Sequence, residues 1–129
     1  MTRKFALLLI FSSLAPLLLI ACGSTAGPDT GTSTSQVHMN STSFVQSSIT
    51  IKKGESITLI ADTFMTHSVA NGTWDGTTPK PSREPGAPTV NNVQISGNSS
   101  QTIGPFTSAG TFHLYCPIHP RMNLTVTVQ

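Results

Sequence analysis

The sequence predicts an all-β domain, a two-sheet Greek-key β-sandwich, over residues 37–129. Short strand-like runs separated by turn residues recur along this stretch, and no segment shows the 3.6-residue apolar period of an amphipathic helix. About seven such strands fit a single sandwich domain. The low charged fraction of 9%, with ten Gly and nine Pro, also suits a Thr/Ser-rich β protein.

The predicted strands of the first part of the domain are bounded by turn residues. The earliest alternates toward its end, where Ile49 and Ile51 share one face, and a Lys-Lys-Gly-Glu turn separates it from the next. Four of the nine prolines lie within residues 72–92, so this stretch is predicted to be a long irregular excursion rather than a pair of strands. In chain order these strands are residues 44–51, 56–61, 90–95 and 102–103.

The last two predicted strands, residues 111–116 and 124–128, have the clearest pattern. Leu124, Val126 and Val128 alternate with threonines, as expected for a half-buried strand. In the preceding strand Cys116 shares its parity with Phe112 and Leu114, so its sulfur is predicted to point toward the core, whereas His113 and Tyr115 point outward.

The N-terminus has the pattern of an export signal. Arg3 and Lys4 precede an apolar run from residue 5 to 21, which is typical of a signal peptide. The run ends in Leu-Ile-Ala-Cys at residues 19–22, which resembles a bacterial lipobox; a plain signal peptide with an incidental cysteine is the alternative. The lipobox predicts removal of residues 1–21, lipidation of Cys22, and attachment to the extracytoplasmic side of the cell membrane.

Composition limits the remaining organisation and the partners. Residues 22–36 are rich in Gly, Ser and Thr without periodicity, which predicts a flexible tether before the domain at 37–129. The formal net charge of +2 and the lack of a basic stripe argue against nucleic-acid binding. If Cys22 carries lipid, Cys116 is a lone thiol and no disulfide forms. We expect a monomer.

The spacing Cys116-x2-His119-x2-Met122 indicates a metal site. Thiolate and thioether together select a soft metal, and imidazole suits copper. Structural zinc would need more Cys and His ligands, and an inward thiol followed by proline is a poor design for a protease nucleophile. A further ligand should come from a neighbouring strand. His67, just after the strand at 56–61, is the best candidate, with His38 and His113 as competitors.

The segment 105–122, followed by an alternating Thr/Val strand, resembles the C-terminal half of cupredoxins, the type 1 blue copper proteins, and is most similar to the plastocyanin/amicyanin group. The turn at 53–55 and the His-Ser-Val element at 67–69 match that family's first half, so the resemblance covers roughly residues 40–129. It implies a Greek-key sandwich that binds one copper, with His67, Cys116 and His119 as equatorial ligands and Met122 as the axial ligand. One departure is Ser68, where amicyanin and plastocyanin usually have an Asn that braces the ligand loop.

The resemblance implies a membrane-tethered one-electron carrier, not an enzyme, that exchanges electrons with redox proteins. Pro117, Ile118 and Pro120 would form an apolar docking patch around His119. The alternative is an extracytoplasmic protein that delivers Cu(I) to an oxidase through the same ligands. The His-x-His pairs and His-Cys-His run of a multicopper oxidase do not occur, and the ligand loop has no second cysteine for a dinuclear copper centre.

Overall fold

The computed structural model describes residues 34–129, which form nine strands. No helix within this range is long and apolar enough to cross a membrane. The expected signal peptide (1–21), Cys22 and the tether up to residue 33 lie outside the described residues. The strands are β1 (Thr34–Met39), β2 (Ser48–Ile51), β3 (Ser56–Ala61), β4 (His67–Asp75), β5 (Thr78–Pro81), β6 (Val93–Ile95), β7 (Ser100–Ile103), β8 (Gly110–Tyr115) and β9 (Asn123–Val128).

The strands form two mixed sheets, which confirms the predicted sandwich. One sheet has the order β1-β3-β7, and the other has the order β2-β9-β8-β4-β5, with β6 also pairing with β4. The pairs β1/β3 and β2/β9 are parallel, and the remaining pairs are antiparallel. Non-consecutive neighbours such as β2 and β9 join distant parts of the chain, so the sheet cannot form from local hairpins alone.

A single apolar cluster fills the space between the sheets. Alternate residues of each strand point into it because successive side chains of a strand face opposite sides. β3 contributes Ile57 and Leu59, and β9 contributes Leu124, Val126 and Val128, all buried. Burial of each such side chain contributes about 1.5–3 kcal/mol to folding. Cys116 and Met122 belong to the same cluster.

The strand directions bring several loops to one end of the sandwich. Because β1 runs parallel to β3, with Met39 opposite Ala61, the loops that follow both strands leave from the same end. The loop after β3 leads directly into His67 at the start of β4. β8 is antiparallel to both β4 and β9, so it ends where they begin. We call this the loop end; it comprises residues 40–47, 62–66 and 116–122.

The predicted irregular excursion at residues 72–92 is partly wrong. β4 continues to Asp75 and forms a hairpin with β5, with Gly72 opposite Pro81 and Asp75 opposite Thr78. Pro79 and Pro81 are compatible with this pairing because β5 lies at the edge of its sheet. Residues 82–92 do follow an irregular course.

Several strand boundaries also differ from the expectation, and β6 and β7 cover residues 93–95 and 100–103 instead of 90–95 and 102–103. The strand predicted at 44–51 is regular only from Ser48, and Phe44 instead forms an isolated bridge with Met39. At the N-terminus, β1 begins at Thr34, within the stretch expected to be a tether, because Val37 and Met39 are completely buried and hold this segment against β3.

Candidate metal centre

Three adjacent strands bring a thiol and two imidazole rings together at the loop end. β4 begins at His67, Cys116 directly follows β8, and β9 begins one residue after Met122. The ladder sets their relative positions, with Ala70 opposite Tyr115 and Tyr115 opposite Asn123. Residues that are 49 positions apart in sequence thereby become neighbours in space.

The donor atoms of His67, Cys116 and His119 converge. The Sγ of Cys116 lies 3.3 Å from Nδ1 of His119 and 4.0 Å from Nδ1 of His67. All three potential ligand atoms lie within 4.8 Å of one another, and the two imidazole centroids are 4.9 Å apart. His67 and Cys116 are completely buried, whereas His119 is partly exposed.

The loop between β8 and β9 is a tight turn held by its own backbone. The N–H of His119 donates to the Cys116 carbonyl at 3.2 Å, and the N–H of Met122 donates to the His119 carbonyl at 3.2 Å. The N–H of Cys116 donates to the Met122 carbonyl at 3.0 Å, which closes the turn. Arg121 adopts φ 67°, a left-handed conformation that reverses the chain before β9.

The surroundings of His67 favour its neutral form. Burial is the main cause that lowers its pKa from the usual value, the nearby His119 lowers the pKa further, and a weaker backbone contact with Asn40 raises it. Its Nε2 atom is enclosed and, among the described residues, has no hydrogen-bond partner of good geometry. A buried neutral imidazole with Nδ1 facing a thiol is suited to binding a metal ion, since only the unprotonated nitrogen can act as a ligand.

The donor set fits copper. A metal about 2.0–2.3 Å from each ligand requires ligand atoms roughly 3–4 Å apart, and the sulfur-to-nitrogen distances fall in this range. One thiolate and two imidazoles form the trigonal set of a type 1 copper site, which is completed by a weak axial thioether. Met122 is 1% exposed and pairs through its backbone with Cys116, so the thioether-bearing residue lies in the same closed turn.

The competing histidines lie elsewhere. His38 pairs with Asp62 through Nδ1 at 2.8 Å, and His113 pairs with Glu84 at 2.6 Å, on the outer side of β8. Ser68 is partly exposed and opposite Gln94 in the β4/β6 ladder. Among the described residues its side chain makes no hydrogen bond to the ligand loop, so any brace must come from another residue.

Sequence reasoning missed part of the apolar surface at the loop end. Of the residues predicted to form a docking patch, Ile118 is 55% exposed, Pro120 is exposed and Pro117 is half-buried. Phe64, in the loop that leads into His67, is 92% exposed, and the adjacent Met65 is also exposed. The available signal was a bulky aromatic residue in a short loop next to a candidate ligand.

Comparisons with known proteins point to copper-binding proteins with this fold. The sequence profile of the copper-binding proteins of the plastocyanin/azurin family matches residues 32–129. The amicyanin of Paracoccus versutus (Thiobacillus versutus) has a similar structure, with 22% identity and a TM-score of 0.57 over 78% of this chain and 86% of that one. A reduced amicyanin variant has 21% identity and a TM-score of 0.57 over 74% and 82%. No significant match was found among curated protein sequences.

Proposed function

Because the chain belongs to the plastocyanin/azurin family of copper-binding proteins and binds one copper ion, we propose that it is a one-electron carrier. The observation that carries this proposal is the convergence of the Cys116 thiol with the imidazoles of His67 and His119 at the loop end of the sandwich. His67, Cys116, His119 and Met122 would hold the copper ion through two imidazole nitrogens, a thiolate and a thioether. Copper held there would supply the one-electron chemistry, since it can exist as Cu(II) or Cu(I).

The chain's own residues keep the geometry constant during transfer. His67 is fixed at the start of β4 and Cys116 directly after β8, and the two strands are paired within one sheet. His119 and Met122 are held by the hydrogen bonds of the turn. Ligands that are fixed by strands and by a closed turn would move little when the metal charge changes, which favours fast electron transfer.

The partly exposed His119 provides the route for electrons, and the apolar side chains around it provide the docking surface. Ile118 and Pro120 flank this ligand in the turn and are exposed. Phe64 and Met65 in the neighbouring loop extend the apolar area that a redox partner would contact. Small apolar contacts suit short-lived complexes, since a carrier must release each partner quickly.

Copper titration tests the proposed ligand set. We expect the wild-type domain with Cu(II) to show an intense blue band from thiolate-to-copper charge transfer, and His119→Ala to lose or strongly alter it. His113→Ala is the matched control and should keep the band, because His113 faces Glu84 on the outer side of β8. A wild-type protein that binds copper but stays colourless would contradict the proposal. Strong preference for Cu(I), with transfer to a copper-free oxidase, would replace the carrier by a delivery protein.

The proposal also includes a membrane anchor on the extracytoplasmic side. It is motivated by the lipobox-like residues 19–22 and the Gly/Ser/Thr-rich stretch that follows them. Two or more acyl chains on Cys22 would hold the domain at a bilayer, at about 0.8 kcal/mol per buried CH₂. Cys22→Ser should move the protein from the membrane fraction to the soluble fraction, and an unchanged distribution would argue against the anchor.

A further inference from the structure

Trp74 contacts both ends of the ligand loop. Its indole Nε1–H donates to the backbone carbonyl of Cys116 at 2.9 Å. Its backbone N–H donates to Oδ1 of Asn123 at 2.7 Å, and its backbone carbonyl accepts from Nδ2 of Asn123 at 3.1 Å. Cys116 begins the turn and Asn123 directly follows Met122, so one residue of β4 is tied to both sides of the turn.

The course of β4 explains how Trp74 reaches this position. The regular β4/β8 ladder pairs Ala70 with Tyr115 and Asn71 with Leu114. At Gly72 the backbone adopts φ 131° and passes so close to Tyr115 that a Cβ would lie 2.9 Å from its ring. The strand then crosses the Tyr115 ring, which Trp74 contacts edge-on with centroids 6.0 Å apart. Beyond this crossing, the Asn123 side-chain amide pairs with the Trp74 backbone as a neighbouring strand would.

The hydrogen bond of the Trp74 indole is made to the backbone carbonyl of Cys116, the residue that supplies the thiol of the site. The Cys116 carbonyl already accepts the N–H of His119, so the Trp74 indole is its second donor. With both donors in place, the peptide plane that follows the Cys116 side chain is fixed. β4 also begins with His67. The same strand therefore carries one proposed ligand, His67, and the Trp74 indole, which contacts the ligand loop that contains the other three proposed ligands.

We propose that Trp74, seated by Asn123, is a positioning residue that holds the Cys116 thiolate and the ligand loop in the geometry that copper requires. This inference rests on the proposed copper function. In this inference Trp74, on the same strand as Ser68, stabilises the ligand loop, which the Ser68 side chain does not contact through a hydrogen bond. A packing role alone would need only an aromatic ring against Tyr115, whereas this role needs the indole N–H.

The test compares three variants of the copper-loaded protein. Trp74→Phe keeps an aromatic ring and removes the indole N–H donor. Asn123→Leu keeps the indole and removes the two hydrogen bonds between the Asn123 side chain and the Trp74 backbone. We expect both to weaken copper affinity about tenfold, the lower end of the range for groups that orient metal ligands, and to shift the thiolate-to-copper band. Tyr115→Phe is the control that keeps the ring under Trp74, and it should leave affinity and band unchanged. Wild-type affinity and band in Trp74→Phe would overturn the proposal, even if that variant were less stable.

Hydrogen exchange in the metal-free protein separates this inference from the proposed function. Trp74 is the only tryptophan in the chain, so its indole N–H gives a single resonance, which we expect to be protected in the wild type. In Trp74→Phe the amide N–H of His119 should exchange faster, because its acceptor carbonyl is no longer held. If the wild-type protein gives no thiolate-to-copper band, the proposed copper function is wrong, and the exchange measurement alone then tests whether Trp74 holds the loop. An unchanged exchange rate of the His119 amide N–H in Trp74→Phe would overturn that role.

Discussion

At the scale of single residues, the two histidines outside the metal centre are each paired with a carboxylate. His113 on β8 contacts Glu84 at 2.6 Å, and His38 on β1 contacts Asp62 at 2.8 Å. In each pair the ring nitrogen Nδ1 makes the contact. The alternation of β8 predicted that His113 faces outward, but nothing local predicted its partner, because Glu84 lies 29 residues earlier in an irregular segment.

Glu84 should make folding stability depend on pH in the acid range. Burial opposes its ionisation, but the hydrogen bond with His113 and nearby backbone groups outweigh this effect and lower its pKa below the usual value. Because the folded-state pKa lies below the unfolded one, the charged carboxylate stabilises the fold above the unfolded value, and this contribution is lost as pH falls through the folded value. We expect Glu84→Gln to reduce the free energy of unfolding by about 1 kcal/mol near pH 7 and by progressively less as the pH is lowered through the acid range, measured by urea denaturation.

Asp75 is the matched control for this prediction. Its carboxylate pairs with Lys80 across the β4/β5 hairpin, and both side chains are mostly exposed. The hydrogen bond from Lys80 lowers the pKa of Asp75, but water screens the pair. Asp75→Asn should therefore change stability little at any pH. An equal loss of stability in both variants would show that the pairing of Glu84 with His113 on β8 contributes no more than an exposed ion pair does.

At the scale of elements, the β4/β5 hairpin depends on a glycine where the strand crosses Tyr115. A Cβ on Gly72 would lie 2.5 Å from the Lys80 carbonyl oxygen and 2.9 Å from the Tyr115 ring, at φ 131°. We expect Gly72→Ala to destabilise the protein by about 3 kcal/mol or more, since it combines steric overlap with backbone strain. Thermal unfolding of the metal-free domain would measure this.

Gly76 in the turn of the same hairpin provides the comparison. It also has a positive φ, 61°, but a Cβ there would meet nothing within 4 Å. Gly76→Ala should cost only the left-handed backbone strain, about 1 kcal/mol. Similar losses at the two positions would mean that the close approach at Gly72 relaxes without cost, and that the hairpin is not tightly seated on Tyr115.

The hairpin also shows where prediction from sequence stops. The alternation of residues 111–116 predicted that Phe112, Leu114 and Cys116 point inward, and all three are buried. The same alternation predicted that Tyr115 points away from the core between the sheets. Tyr115 is indeed not part of that core, yet its side chain is only 3% exposed. The reason is long-range: Trp74 and Gly72 cover it, from a stretch whose prolines suggested an irregular course. Parity gives the face of a strand but not what packs on that face.

The ligands illustrate the same limit. Cys116, His119 and Met122 lie within one turn, so their spacing alone indicated a metal site. His67 is 49 residues from Cys116, and only the pairing of β4 with β8 brings it near, so sequence reasoning had to choose among three histidines. The hydrogen bonds of Trp74 left no local signal, because a tryptophan in a β-rich segment is ordinarily a packing residue.

At the scale of the whole molecule, the loop end concentrates the exposed apolar side chains. The large hydrophobic residues that are mostly or substantially exposed in the described range lie in the three loops of this end: Val45, Phe64, Met65 and Ile118. Charge is sparse and nearly balanced, with five basic and four acidic residues between positions 34 and 129. Electrostatic steering should therefore contribute little to association, and apolar contact beside His119 should determine how well partners dock.

Ile118→Lys tests this surface through electron self-exchange between oxidised and reduced copies of the protein. The substitution removes an apolar contact next to His119 and adds one positive charge to each copy, so two loop ends that approach each other repel. We expect the exchange rate to fall about tenfold, equivalent to 1.4 kcal/mol, and to recover partly with added salt because exposed charges are screened.

Ala109→Lys is the control: it adds the same charge in the exposed turn before β8, at the opposite end of that strand from Cys116. Since its charge lies away from the contact, its rate should stay close to that of the wild type. Equal slowing in both variants would mean that net charge, not the loop end, limits the encounter.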